Sequence, residues 1–277
     1  MKGRPAEGVA RRSDVNHPTR LKETRDFSSG YKRSHRLYET GGIVAAIACA
    51  CALAVRVTIS GNLSGWFVPL ALFVGILGAD LTSGLVHWGC DTWGNTSTPI
   101  LGQLAIRAFR EHHVDPKSIT RHDFVETNGH NFALSVLPST IGFFLAGQKT
   151  LTCALTSMCL LAMAIFVAMT SQIHKWAHTK TPPRLVRFLQ DVRIIISTPH
   201  HEKHHARPYN RNFCITVGWL NGPLRAIRFF ETSERLICAF TNAIPRQDDI
   251  GATKTEIDPG GDAPAAHADL SSSRAVK

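Results

Sequence analysis

Four apolar stretches interrupt an otherwise polar chain. The first, GIVAAIACACALAVRVTIS (42–60), carries one charge, Arg56, close enough to its end for the guanidinium to reach the surface along its own stem. The second, WFVPLALFVGILGADLTSGLVHWG (66–89), has the length needed for a hydrocarbon core of about 30 Å, with Asp80 inside it. The third, NFALSVLPSTIGFFLAG (131–147), is shorter and contains Pro138. The fourth, TLTCALTSMCLLAMAIFVAMTSQI (150–173), has no charge at all. A water-soluble helical core could hold the second or third run, but it rarely needs the fourth. The pattern therefore predicts an all-α, multi-pass membrane protein with about four transmembrane helices, the last two joined as a hairpin through Gln148-Lys149.

The flanks read differently. Residues 1–40 lack a sustained apolar period and are expected to form a flexible basic tail. Residues 245–277 are expected to be a disordered tail, leaving 41–244 as the membrane domain. Lys and Arg together number 31 against 21 acids, and ten of them fall in residues 1–36 beside four acids. Such a run suits nucleic acid, but beside an apolar span it suits the cytoplasmic side of a membrane better, so no nucleic-acid partner is expected. With that tail cytoplasmic, alternating spans bring His87, the polar stretch 90–130 and His174 to the same face. Both termini and every internal histidine are then cytoplasmic, at the plasma or inner membrane of a bacterium or the endoplasmic reticulum of a eukaryote.

Of 14 histidines, eleven lie between 87 and 205. They form four clusters: His87-x-x-x-Asp91; His112-His113 with His122 further on; His174-x-x-x-His178; and His200, His201, His204 and His205. Offsets of three and four place side chains on one face of a helix, so these imidazoles can converge on a point. The seven cysteines contain no C-x-x-C pair and are read as small buried residues. Nitrogen-rich, thiolate-poor ligation points to iron, copper or zinc, and at least eight histidines exceed what one metal takes.

The last cluster admits two grammars. His201-Glu202-x-x-His205 is a zinc-protease pattern, but it leaves the three upstream clusters idle. His201-x-x-His204-His205 uses all of them and leaves Glu202 a neighbour. A metal transporter is a further alternative, although ligands along a transport path would be expected inside the spans, where only Asp80 lies. For Asp80, pairing with a nearby polar group and a chemical role both remain open. Trp88, Trp93, Trp176 and Trp219 read as interfacial anchors.

The stretches GLVHWGCDTWG, REHHVDPKSITRHDFVETNGHN, SQIHKWAHT and HHEKHHARPYNRNFCITVGWLN together resemble the plasmanylethanolamine desaturase family, which includes animal and bacterial CarF-type members. A more distant likeness is to a chloroplast desaturase acting on phosphatidylglycerol. The resemblance, from about residue 66 to 245, implies an O2-dependent, non-haem di-iron oxidoreductase of plasmalogen biosynthesis. Such an enzyme introduces the vinyl-ether double bond into the 1-O-alkyl chain of an ether phospholipid. The metal ligands it implies are His87, His112, His113, His174, His178, His201, His204 and His205, with Asp91 as ligand or orienting carboxylate. His122 and His200 are less certain and are expected to support the ligands; His130 is not expected to bind metal. Arg107, Arg110 and Lys117 are weaker candidates for the lipid head group. Electrons would come from a separate donor of cytochrome b5 or ferredoxin type. A fatty-acyl desaturase or hydroxylase of the same architecture is the nearest alternative.

Overall fold

The structure, a computed structural model, describes residues 31–60, 65–206 and 209–246. Residues 1–30 and 247–277, most of the two expected tails, lie outside the described residues. Four long helices form the body: α1 (Arg33–Ser60), α2 (Phe67–Thr92), α4 (Phe124–Leu145) and α5 (Leu151–His178). Between α2 and α4 lie a π-helical turn (Gly102–Ile106), the short helix α3 (Arg107–Val114) and a 3-10 turn (Ser118–Thr120). After α5 come α6 (Arg184–Asp191), α7 (Thr198–His201), α8 (Asn221–Ala226) and α9 (Phe229–Thr241). No strand occurs among the described residues.

Three of the long helices, α1, α2 and α5, are long and apolar enough to cross a membrane. The expected count was about four. Helix α4, whose 22 residues open with the polar FVETNGHN and carry Pro138 inside, is less apolar, yet it is the return path between the parallel α2 and α5, so four long helices traverse the bundle. The N-terminal boundary also differs from expectation. Helix α1 begins at Arg33, so residues 33–40 are helical rather than part of a tail. They are held by Tyr31, whose hydroxyl donates to Glu39, and by the Arg36–Asp123 ion pair. Asp123 in turn caps α4 by accepting from the Val125 and Glu126 amides.

The helix directions follow from the pairs in contact. On α1 and α4, Gly42 meets Ala133 and Leu53 meets Gly142, so the two run parallel. Asn131 donates to Ser171 and Asn128 to Gln172, while Gly142 meets Leu160, which makes α4 and α5 an antiparallel hairpin. Helices α2 and α5 run parallel and very close. A Cβ on Gly75 would lie 2.2 Å from the Cys159 carbonyl oxygen, so only glycine permits this approach. The result is that α2 and α5 end side by side, bringing His87 and His174 to one end of the bundle.

The segment after the fourth histidine cluster is the least regular part of the interior. Phe213, Cys214, Ile215, Thr216 and Val217 are all buried without helix or strand. Non-helical backbone at this depth is tolerated only where its polar groups find partners. Asp80, wholly buried in α2, supplies them. Its Oδ1 accepts from the amides of Val217 (2.9 Å) and Gly218 (2.8 Å), and its Oδ2 from Leu220 (3.1 Å). Ser83 Oγ accepts from the Ile215 amide at 3.0 Å. On the α5 side the Thr170 and Thr216 hydroxyls lie 2.7 Å apart, and the Thr216 carbonyl accepts from the Ile196 amide. Of the two readings of Asp80, the structure selects pairing.

Asp80→Ala strips the buried Val217 and Gly218 amides and the half-buried Leu220 amide of their carboxyl acceptor, each buried amide left at a cost of about 1–3 kcal/mol. The variant is expected to lose on the order of 3 kcal/mol or more, read as a lowered melting temperature in detergent; unchanged melting would show that the segment is anchored elsewhere.

Candidate metal centre

Four elements deliver the chemistry-bearing side chains to the common end of α2 and α5. The last turns of α2 carry His87 and Asp91 one turn apart, and the last turns of α5 carry His174 and His178 in the same relation. The π-helical turn leads directly into α3, which presents His112 and His113. Adjacent residues on a helix point about 100° apart, so these two aim at different places. Helix α7 and the turn after it supply His201, His204 and His205.

Two groups result. One comprises His112, His174, His178, His201 and His205; the other comprises His87, Asp91, His113 and His204. Within each group the ligand-capable atoms all lie within 4.8 Å of one another. In the first, Nε2 of His201 is 2.8 Å from Nε2 of His174 and 3.0 Å from that of His205. His112 and His205 approach to 3.0 Å, and His174 and His178 to 3.2 Å, again through Nε2. In the second, Asp91 Oδ2 lies 3.2 Å from His113 Nε2 and 3.4 Å from Nε2 of both His87 and His204. His113 and His204 are 3.3 Å apart.

These separations suit donors around a metal ion. With metal–nitrogen bonds of about 2.0–2.1 Å, neighbouring donor atoms fall roughly 2.9 Å apart in an octahedron and about 3.3 Å apart in a tetrahedron. The protonation states agree. Burial pushes His112, His201 and His205 well below the usual imidazole range, and His204 to about 4, so these rings are neutral, the ligand-competent form. Neutral rings whose Nε2 lone pairs face each other repel unless a cation stands between them. His87 is fully buried with neither ring nitrogen hydrogen-bonded, and the buried Asp91 Oδ1 accepts no hydrogen bond. His204 is fixed for ligation because its Nδ1 donates to the Arg211 carbonyl at 2.9 Å, leaving Nε2 free to coordinate. The residues present thus fit two metal ions.

All nine residues expected as ligands converge, Asp91 among them. The two less certain histidines do not join them. His122 lies 3.4 Å from Glu111 and 3.8 Å from Glu126, and His200 Nε2 accepts from Asn221 at 3.1 Å. His130, not expected to bind, contacts Glu39 at 3.1 Å. Glu202 is exposed and belongs to neither group, whereas His201 and His205 share a group with three further histidines, which removes the zinc-protease arrangement. Of the head-group candidates, Arg107 is buried against Glu111 at 3.2 Å, Arg110 reaches the Gly94 carbonyl at 3.5 Å, and Lys117 is exposed. Trp88 is buried against Trp93 and Phe230 and is not an interfacial anchor. The Arg211 carbonyl and Asn221 had no signal in the sequence. A backbone acceptor has no residue type, and a lone Asn after a Gly-rich turn marks only a turn.

A lipid desaturase domain matches residues 76–248, a span that contains all nine converging residues. The chain is 45% identical over 241 residues to the plasmanylethanolamine desaturase of Myxococcus xanthus, covering 86% of this chain and 85% of that one. It is 46% identical over 188 residues to mouse plasmanylethanolamine desaturase 1, covering 66% and 69%. It is 36% identical over 184 residues to the chloroplastic fatty acid desaturase 4 of Arabidopsis thaliana, covering 64% and 54%. No solved structure matches.

Because the donors fall into two groups, their loss should be separable. Elemental analysis of the purified protein is expected to give about two metal ions per chain, falling towards one in His113→Ala and in His112→Ala. A single ion in the unaltered protein, or complete loss in both variants, would contradict two sites.

Proposed function

The chain belongs to the lipid desaturase family, and from that membership we propose that it is an O2-dependent di-iron enzyme that converts plasmanylethanolamine to plasmenylethanolamine. The observation that carries this reading is the pair of nitrogen-rich donor groups inside a region shared with relatives of that name. The balanced reaction takes one hydrogen from each of the first two carbons of the 1-O-alkyl chain. Dioxygen, two electrons and two protons are consumed and two waters released.

His112, His174, His178, His201 and His205 would hold one iron, and His87, Asp91, His113 and His204 the other. When bound, the irons supply the oxidising chemistry with dioxygen that no side chain of the protein possesses. The protein's own part is orientation and exclusion. Asp91 brings negative charge to the second group, and the Arg211 carbonyl holds the His204 ring in its ligating tautomer. Seven of the nine donor residues are buried, which keeps bulk water from the reacting carbons. The alkyl chain would come from the bilayer that α1, α2 and α5 are long and apolar enough to cross, and its head group would stay at the surface near Arg110 and Lys117. The ion pair with Glu111 disfavours Arg107 for that task. The basic N-terminus favours a cytoplasmic location for both termini and the donor groups, where a cytochrome b5 or ferredoxin type of protein would deliver electrons.

The nearest alternative keeps the site and changes the substrate. The likeness to fatty acid desaturase 4 supports an acyl-chain desaturase, and a hydroxylase would use the same donor set.

The test is expression in a host that makes ether lipids but no plasmalogens, followed by mass spectrometry for acid-labile vinyl ethers. Vinyl ethers are expected from the unaltered protein and, at most of that level, from Glu202→Gln. None is expected from His174→Ala or His201→Ala, with the protein still in the membrane. Absence of vinyl ethers from the unaltered protein, despite oxygen and a compatible donor, would overturn the assignment.

A further inference from the structure

Helix α6 has three distinct faces. Val186 and Gln190 are buried, and Val186 packs with Ile195 and Ile196 against Ile173 and Ala177 in the last turns of α5. On the outside, Leu185, Phe188 and Val192 stand at offsets of three and four, respectively 67%, 58% and 47% exposed, and Ile194 continues the patch at 44%. Beside them Arg184, Arg187 and Arg193 are exposed, with Asp191 the acid on the same segment. No ion pair or side-chain hydrogen bond engages these three guanidinium groups among the described residues.

The depth of this segment follows from α5. Twenty-eight helical residues span about 42 Å, against a hydrocarbon core of about 30 Å, so the ends of α5 reach the head-group layer. The segment is packed on the end that carries His174 and His178. It is also tied to the outer surface of α2. The indole of Trp219 stacks on Phe73, itself 47% exposed on that helix, and its Nε1 donates to the Arg193 carbonyl at 2.7 Å. The apolar patch of α6 is thereby continuous with the membrane-facing surface of a span, and its arginines border that patch. An apolar face with a basic flank, set at the depth where acyl chains meet head groups, is the pattern of a helix lying in the membrane plane.

We propose that residues 184–194 dock on the surface of the same bilayer, with Leu185, Phe188, Val192 and Ile194 immersed and Arg184, Arg187 and Arg193 binding the phosphates of anionic phospholipids. This deepens the membrane reading above and rests on it. Lying directly against the last turns of α5, the docked segment would hold the donor groups at a fixed height over the acyl chains.

The experiment places a photo-crosslinking amino acid at Phe188, and separately at Val55 on the exposed surface of α1. The full chain is reconstituted in nanodiscs of phosphatidylcholine with roughly one-third phosphatidylglycerol, and adducts are identified by mass spectrometry. Lipid adducts are expected at both positions. At position 188, phosphatidylglycerol should be enriched about twofold or more over its bulk share, and Arg184→Gln/Arg187→Gln/Arg193→Gln should return that ratio to bulk while lipid labelling persists. Three results would overturn the inference alone, given lipid adducts at position 55. These are adducts at 188 on a second copy of the chain or on no lipid, no enrichment, or enrichment that survives loss of the arginines. Absence of lipid adducts at both positions would overturn the membrane reading itself.

Discussion

Eight imidazoles and one carboxylate are packed with their ligating atoms 2.8–3.4 Å from a neighbour, in a place water scarcely reaches. They cannot satisfy one another. A neutral imidazole has one proton for two nitrogens, and turning it to serve one neighbour strips the other side of the ring. Each buried polar atom left without a partner costs about 1–3 kcal/mol, and His87 alone has two. A cation at the focus of each group converts facing lone pairs from a liability into coordination bonds. Metal binding by these groups would therefore be linked to folding of this end of the protein.

The scaffold supplies the opposite quality, cheap and rigid placement. One-turn spacing on α2 and α5 fixes four donors on helices whose packing against each other is set by Gly75. The remaining donors come from shorter elements. His201, His204 and His205 sit on a four-residue helix and the turn beyond it, which have little stability of their own. What holds them is the buried segment that follows, returned between the spans and clamped by Asp80, Ser83 and Thr170. The Arg211 carbonyl that orients His204 lies at the mouth of this segment. An acid midway along a span and the candidate donors at its end are thus connected through one stretch of backbone.

Much of this was legible in the sequence, for a physical reason. Periodicity reports helices, and histidines at helical offsets report shared faces, so the histidine clusters and their position at one end of the bundle could be read without coordinates, while the choice of nine candidate donors among them rested on the family resemblance. The partition into two groups could not, because it depends on His112 and His113 diverging, and on His204 turning away from His201 and His205. The role of Asp80 was equally hidden, since its partners are amides some 140 residues away that carry no sequence signature. Residues 33–40 look like tail by composition, and their helix depends on tertiary partners, Asp123 for Arg36 and the gap at Gly129 for Glu39. Helix α4 shows the converse. Its apolar half reads as a span, while its polar half is explained by the hydrogen bonds of Asn128 and Asn131 to α5.

The central claim is that the histidine-rich end holds two iron ions in unlike surroundings, one among five imidazoles and one among three imidazoles and a carboxylate. Mössbauer spectroscopy of the protein expressed with iron-57 tests this directly. The account predicts two quadrupole doublets of nearly equal area from protein holding about two irons per chain. A single mononuclear iron signal, or full enzymatic activity in iron-free protein, would contradict it.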